Sequence, residues 1–153
     1  MKYFGSIDQG TTSTRFIVFD ENGKVISQHQ QELKQHLPNE VSVEHDPNEI
    51  WESVANCINE VGKDIPIDQL SSIGITNQRE TTLAWSKSTG KPLHNALVWQ
   101  DTRTQDICDE LKQINDLQDE FSKTGLPVAT YFSLSKILWL LRNIDEVQIA
   151  KSN

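Results

Sequence analysis

A chain of 153 residues is long enough to enclose one domain-sized core, and its formal net charge of −8, with Lys and Arg scattered, argues against nucleic acid or an anionic membrane as main partner. No apolar run reaches the roughly 18 residues of a membrane span, and no basic stretch leads into an apolar one at the N-terminus, so a cytoplasmic protein is expected. Cys57 and Cys108 fall on apolar stripes of expected helices, where a thiol packs as a small hydrophobe, and His29, His36, His45 and His94 lack metal-ligand spacing.

Three strands come first, at Tyr3 to Ile7, Arg15 to Asp20 and Val25 to Gln31. Asn22-Gly23 between the last two is a hairpin signal, so the chain is expected to open as an antiparallel meander. Asp46-Pro47-Asn48-Glu49 supplies an N-cap, a proline at the first helical position and an acid near the helix start. The helix that follows is expected to put Ile50, Trp51, Val54, Cys57, Ile58 and Val61 on one face and to end at Gly62.

Ile73-Gly74-Ile75-Thr76 has the pattern of a short buried strand, and further strands are expected at Thr81 to Trp85 and ending at Leu97-Val98-Trp99. A second helix is expected from Thr102, capped with Gln105, carrying Ile107, Cys108, Leu111 and Ile114. A broken segment through Gly125-Leu126-Pro127 leads to a helix with Leu134, Ile137, Leu138 and Leu141 facing inward. Strands first and crossover helices after predict an α/β class with a mixed sheet. Asp145 to Lys151 looks like the start of another helix, and the sequence stops at Asn153 with no cap or turn, so an N-terminal fragment of a longer protein is expected.

The candidate chemistry sits at the ends of these strands. Asp8-Gln9-Gly10-Thr11-Thr12-Ser13-Thr14-Arg15 joins the first two strands with a carboxylate, a glycine and four hydroxyls. Such a turn brings N–H and O–H donors close to phosphate oxygens, and Asp8 is placed to hold Mg²⁺ directly or through water. The same composition also makes ordinary hairpins. A Walker loop is excluded, because Gly90-Lys91 is followed by Pro92 and Trp85 stands where the first glycine belongs.

Asn77-Gln78-Arg79-Glu80 follows a strand directly, and its adjacent planar donors and paired acceptors suit a molecule with several hydroxyls, or equally a surface ion pair. Trp99 and Tyr131 would add an aromatic wall and a phenolic hydroxyl to a polyol pocket, although each taken singly suits core packing. Ser133-Leu134-Ser135-Lys136 matches the SxxK pattern of penicillin-binding enzymes, but no SDN or KTG segment accompanies it, so a structural role is expected.

Asp8 to Arg15, Val43-Glu-His-Asp46, Gly74-Ile-Thr-Asn-Gln-Arg-Glu-Thr-Thr82 and Asn95-Ala-Leu-Val-Trp-Gln-Asp-Thr-Arg103 together closely resemble the N-terminal part of the glycerol kinases. These are a branch of the FGGY carbohydrate kinases within the actin-like, ribonuclease H-like ATPases, and the resemblance runs in order through essentially the whole chain. It implies one ribonuclease H-like domain over residues 1–153, truncated, with a C-terminal domain absent. It implies that Thr11, Thr12, Ser13 and Arg15 meet ATP phosphates and that Asp8 helps to hold Mg²⁺. Arg79, Glu80 and Tyr131 would hydrogen-bond glycerol while Trp99 packs on its carbon face.

The implied reaction is phosphorylation of glycerol by ATP to sn-glycerol 3-phosphate in a homo-oligomeric parent enzyme, with no nucleic acid and no membrane insertion. The family's catalytic base, an aspartate, falls downstream of this stretch, so no catalytic residue is expected within it and the chain alone is expected to be inactive. Asp101 departs from many family members, and little consequence is expected. Another FGGY polyol or ketose kinase, or a non-catalytic polyol-binding or interaction module, remain the alternatives.

Overall fold

The computed structural model describes residues 2–151, with the side chains of residues 115, 116 and 118 outside that description. The expected break at Asn153 lies outside the described residues. Contacts divide the chain into two compact units, Met1–Gln35 with His45–Gln78, and His36–Glu44 with Arg79–Asn153.

The first unit is built on a four-stranded sheet. β1 (Tyr3–Gln9), β2 (Ser13–Asp20) and β3 (Val25–Glu32) form the expected meander, with β5 (Leu70–Thr76) on the far side in the order β3-β2-β1-β5. β1 pairs antiparallel with β2 and parallel with β5, which makes the sheet mixed. Gly23, at φ 78°, closes the β2–β3 turn, in the left-handed region where a side chain would be strained. Along β2, Thr14, Phe16, Val18 and Asp20 alternate inward, and the apolar pair Phe16 and Val18 is fully buried.

Helix α1 (Pro47–Gly62) covers that inward face. Its cap is as expected: the Asp46 carboxylate accepts from the Asn48 N–H at 2.8 Å, with Pro47 at the first position. Cys57 and Val61 pack with Ile7, Phe16, Val18 and Ile65 into one core. Trp51 is a correction, being 74 % exposed. The buried stripe runs through Ser53, Cys57 and Val61, and Trp51, two residues before Ser53, lies about 200° round the helix from it. The chain leaves α1 through Lys63 in the right-handed region. A 3-10 turn, Ile67–Gln69, leads into β5. That strand is also less buried than its sequence predicts, with Ile75 73 % exposed: among the described residues it pairs with β1 alone, and α1 packs instead on β2 and β3.

The second unit is mostly helical. α2 (Gln105–Lys112) buries Ile107, Cys108 and Leu111. It begins later than expected, since Thr104 occupies the cap position and its hydroxyl is engaged with Ser135 at 2.8 Å. Ile114 is exposed and lies beyond the helix. The segment expected to be broken contains α3 (Asn115–Thr124), closed by Gly125 in the left-handed region at φ 69°. α4 (Ser133–Asn143) and α5 (Asp145–Lys151) follow, the latter as expected. Leu97, Leu140 and Val147 form this unit's core.

Two corrections fall here as well. α4 buries Ser135, Lys136 and Leu140, while Leu134 and Ile137, expected inside, are exposed. The expected strand from Thr81 to Trp85 reduces to isolated bridges, Thr82 to Leu97 and Trp85 to Pro92, and the strand expected to end at Trp99 is the short β6 (Ala96–Leu97). β4 (Glu44–His45) completes the elements, and both cysteines are free and buried, as expected. Among the described residues no helix is long and apolar enough to cross a membrane.

Candidate functional site

In the first unit the hydroxyl-rich turn is short and tightly held. β1 ends at Gln9 and β2 starts at Ser13, and the Gly10 N–H donates to Ser13 O at 2.9 Å. A Cβ at Gly10 would stand 2.9 Å from that same carbonyl oxygen, so only glycine fits. Thr12 O accepts from the Leu33 N–H at 2.9 Å, which ties the turn to the chain leaving β3. Below it, the buried Thr14 hydroxyl bonds Gln9 Oε1 at 2.9 Å and Ser53 Oγ at 2.6 Å, pegging the turn to α1. Thr14 is therefore a structural hydroxyl, while Thr11, Thr12 and Ser13 stay at the turn with partial or full exposure.

Thr12 and Ser13 line a polar concavity of about 420 Å³ with Gln30, Glu32, Leu33 and Gln35. Gln30 Nε2 donates to Ser13 Oγ at 3.0 Å across it. Asp8 and Arg15 face each other in the β1–β2 register, and the Arg15 Nε is buried with no hydrogen-bond partner among the described residues. An unsatisfied guanidinium N–H is costly to bury, and an anion would relieve it. Among the described residues no group of three or more His, Cys, Asp or Glu could hold a metal. A single carboxylate, however, is an ordinary protein contribution to Mg²⁺ whose remaining ligands are phosphate oxygens and water. Asp8 fits that pattern and no fuller one.

The second unit holds Arg79, Glu80, Trp99 and Tyr131. Glu80 takes a φ of 64°, sparsely populated for a residue with a side chain, and is the only described non-glycine residue with positive φ. Its Oε2 accepts from Ser133 N–H at 2.8 Å and from Ser133 Oγ at 2.7 Å, at the first turn of α4. Those two hydrogen bonds, the hydroxyl's first, hold the Glu80 carboxyl below the usual range, with the charges of Lys136 and Arg79 adding to the effect. Arg79 beside it is exposed.

Trp99 meets Tyr131 edge to face at 5.7 Å between ring centres, and Tyr131 meets Phe132 the same way at 5.1 Å. Trp99 also donates its backbone N–H to Thr81 Oγ1 at 3.3 Å. Glu80 is thus linked through Ser133 to the segment carrying Tyr131, and Tyr131 touches Trp99. These three residues converge, with the charge of Arg79 next to them. Glu80 also lines an apolar cavity of about 230 Å³ with Leu111, Phe121, Leu126, Val128 and Phe132.

Two features of this unit escape sequence reasoning. Arg103 donates Nη2 to Glu44 Oε1 at 2.7 Å and Nε to both oxygens of the fully buried Asp101 at 3.0 Å, with its guanidinium 4.6 Å above the Trp139 ring. Asp101, expected to matter little, also accepts the Val43 N–H at 2.7 Å and so anchors the loop. Burial pushes Glu44 up, but hydrogen bonds from Asn95 and Arg103 outweigh it and leave the carboxyl lowered. Lys136 is the second surprise: fully buried, it donates to Thr130 O and, at 3.2 Å, to Tyr131 O. Only the alternation of acid and base in Asp101-Thr102-Arg103 hinted at the first, and nothing local marked the second.

Residues 3–151 match the model of the FGGY family of carbohydrate kinases, N-terminal domain. The chain is 53% identical over 146 residues to a glycerol kinase of Petrotoga mobilis, covering 94% of this chain and 29% of that protein. It is 49% identical over 156 residues to a glycerol kinase of Arabidopsis thaliana, covering 97% and 30%. In structure it is similar to Plasmodium falciparum glycerol kinase with ADP, at a TM-score of 0.87 and 40% identity over 97% of this chain and 30% of that one. A ligand-bound xylulose kinase from Lactobacillus acidophilus is alike in fold, at a TM-score of 0.85 and 24% identity over 99% of this chain and 30% of that one. The chain spans about 30% of the length of the curated relatives it matches.

Proposed function

The chain belongs to the FGGY family of carbohydrate kinases, and from that premise we propose that it is the N-terminal domain of an enzyme that transfers the γ-phosphoryl group of ATP to glycerol. The observation that carries glycerol as acceptor is the cluster of Glu80, Trp99 and Tyr131, with Arg79 adjacent, in a chain about half identical to glycerol kinases. Exposed donors and acceptors beside an aromatic wall match a triol, whose hydroxyl edge is polar and whose carbon face is not.

In this reading Arg79 and the Glu80 carboxylate hold two hydroxyls of glycerol, the Tyr131 phenol adds a hydrogen bond, and Trp99 packs against the C–H face. Thr11, Thr12 and Ser13 donate to phosphate oxygens at the β1–β2 turn, and Arg15 satisfies its buried Nε on the same polyphosphate. Asp8 would hold Mg²⁺, which when bound would neutralise phosphate charge. The third, reacting hydroxyl oxygen forms a bond to the γ-phosphorus as the bond to the β–γ bridging oxygen breaks, and ADP carries off that electron pair. The hydroxyl proton passes to a base that we place outside residues 1–153, so the domain positions and neutralises while another part completes the chemistry.

The test is kinetic and uses the full-length protein that carries this domain. Arg79→Ala should raise the KM for glycerol at least about tenfold, a charged hydrogen bond being lost, and change the KM for ATP less than about twofold. Equal losses toward glycerol and ATP would remove Arg79 from the acceptor side.

A further inference from the structure

We propose that Ser133 is a positioning residue for the acceptor site, aiming the Glu80 carboxylate by fixing one of its two oxygens. The inference rests on the reading of Glu80 as a glycerol ligand, and it gives the Ser133-x-x-Lys136 pair a task that its sequence pattern does not suggest. Oε2 of Glu80 takes both hydrogen bonds, from the Ser133 amide at 2.8 Å and hydroxyl at 2.7 Å, while Oε1 takes none among the described residues. One oxygen is thus tied to α4 and the other is left for a ligand.

Glu80 needs such a tether. Its backbone stands at φ 64°, a conformation that a glutamate holds only where its surroundings over-determine it. The tether itself is anchored. Lys136, one turn along α4, donates to the carbonyls of Thr130 and Tyr131 in the turn that leads into Ser133. Burial lowers the Lys136 ammonium, with the charges of Asp101 and Glu80 opposing. A nucleophilic role for Ser133 is inconsistent with these bonds, because its hydroxyl donates to Glu80 and the Lys136 nitrogen is turned to backbone oxygens.

The experiment compares Ser133→Ala and Ser133→Thr with wild type in the full-length protein, by steady-state kinetics and by titration of a 13C-labelled Glu80 carboxyl. Ser133→Ala should raise the KM for glycerol about three- to tenfold, leave the KM for ATP unchanged, and move the Glu80 midpoint upward toward an ordinary glutamate. Ser133→Thr, which keeps the hydroxyl, should restore both. A Glu80 midpoint unmoved by Ser133→Ala, or equal rises in both KM values, would overturn the proposal. A wild-type enzyme inactive on glycerol would instead remove the functional reading above, and the titration would still decide whether Ser133 positions Glu80.

Discussion

Arg103 sits between two carboxylates, with a side chain 10% exposed against 8% for Glu44 and 0% for Asp101. Removing the cation would strand two buried anions, and breaking a buried pair in this way costs about 3–5 kcal/mol. Arg103→Met should therefore destabilise the protein by that order in urea denaturation at neutral pH. Acid changes the comparison in a definite direction. Glu44 is lowered in the folded wild type, so its contribution is present above the ordinary glutamate range and is lost as pH falls through the folded value. In the variant only the Asn95 hydrogen bond is left to offset burial, so the Glu44 carboxyl should rise and its protonation relieve the fold. The stability gap between wild type and Arg103→Met should narrow between pH 7 and about pH 4; a gap constant with pH would show that the pair is not what the substitution broke.

Elements follow local chemistry where that chemistry is self-contained. The α1 cap depends on one carboxylate and one N–H two residues apart, and Asp46→Ala should cost about 1 kcal/mol, read as a lower thermal midpoint with unchanged far-ultraviolet spectrum. No change in midpoint would mean that the cap is redundant. Asp46-Pro47 and Asn22-Gly23 were legible in the sequence for the same reason: turn and cap residues act on neighbours in the chain. The misses share a different cause. Leu134 and Ile137 fit an inward stripe, yet α4 is oriented by Lys136 reaching two carbonyls and by Ser135 meeting Thr104, polar contacts that a hydrophobic period cannot foresee. Thr81 to Trp85, expected as a strand, makes only the isolated bridges of Thr82 and Trp85.

The site divides along the same line. The residues of both candidate groups were identified from short motifs and from the resemblance they carry. The tie from Glu80 to Ser133, 53 residues away, and the peg from Thr14 to Ser53, 39 residues away, belong to the fold alone.

At the scale of the whole molecule, membership of the FGGY kinases accounts for the mixed sheet, its meander and its flanking helices, since sugar kinases of 21–24% identity keep the same fold. That shared fold says nothing of the acceptor, which on the proposed reading Arg79, Glu80, Trp99 and Tyr131 select. The full-length protein assayed with Mg-ATP against glycerol, xylulose and gluconate tests this most directly. A site shaped to a triol should give a kcat/KM for glycerol at least about a hundredfold above the other two, whose longer chains and extra polar groups it cannot pair. Comparable values for glycerol and xylulose would contradict it.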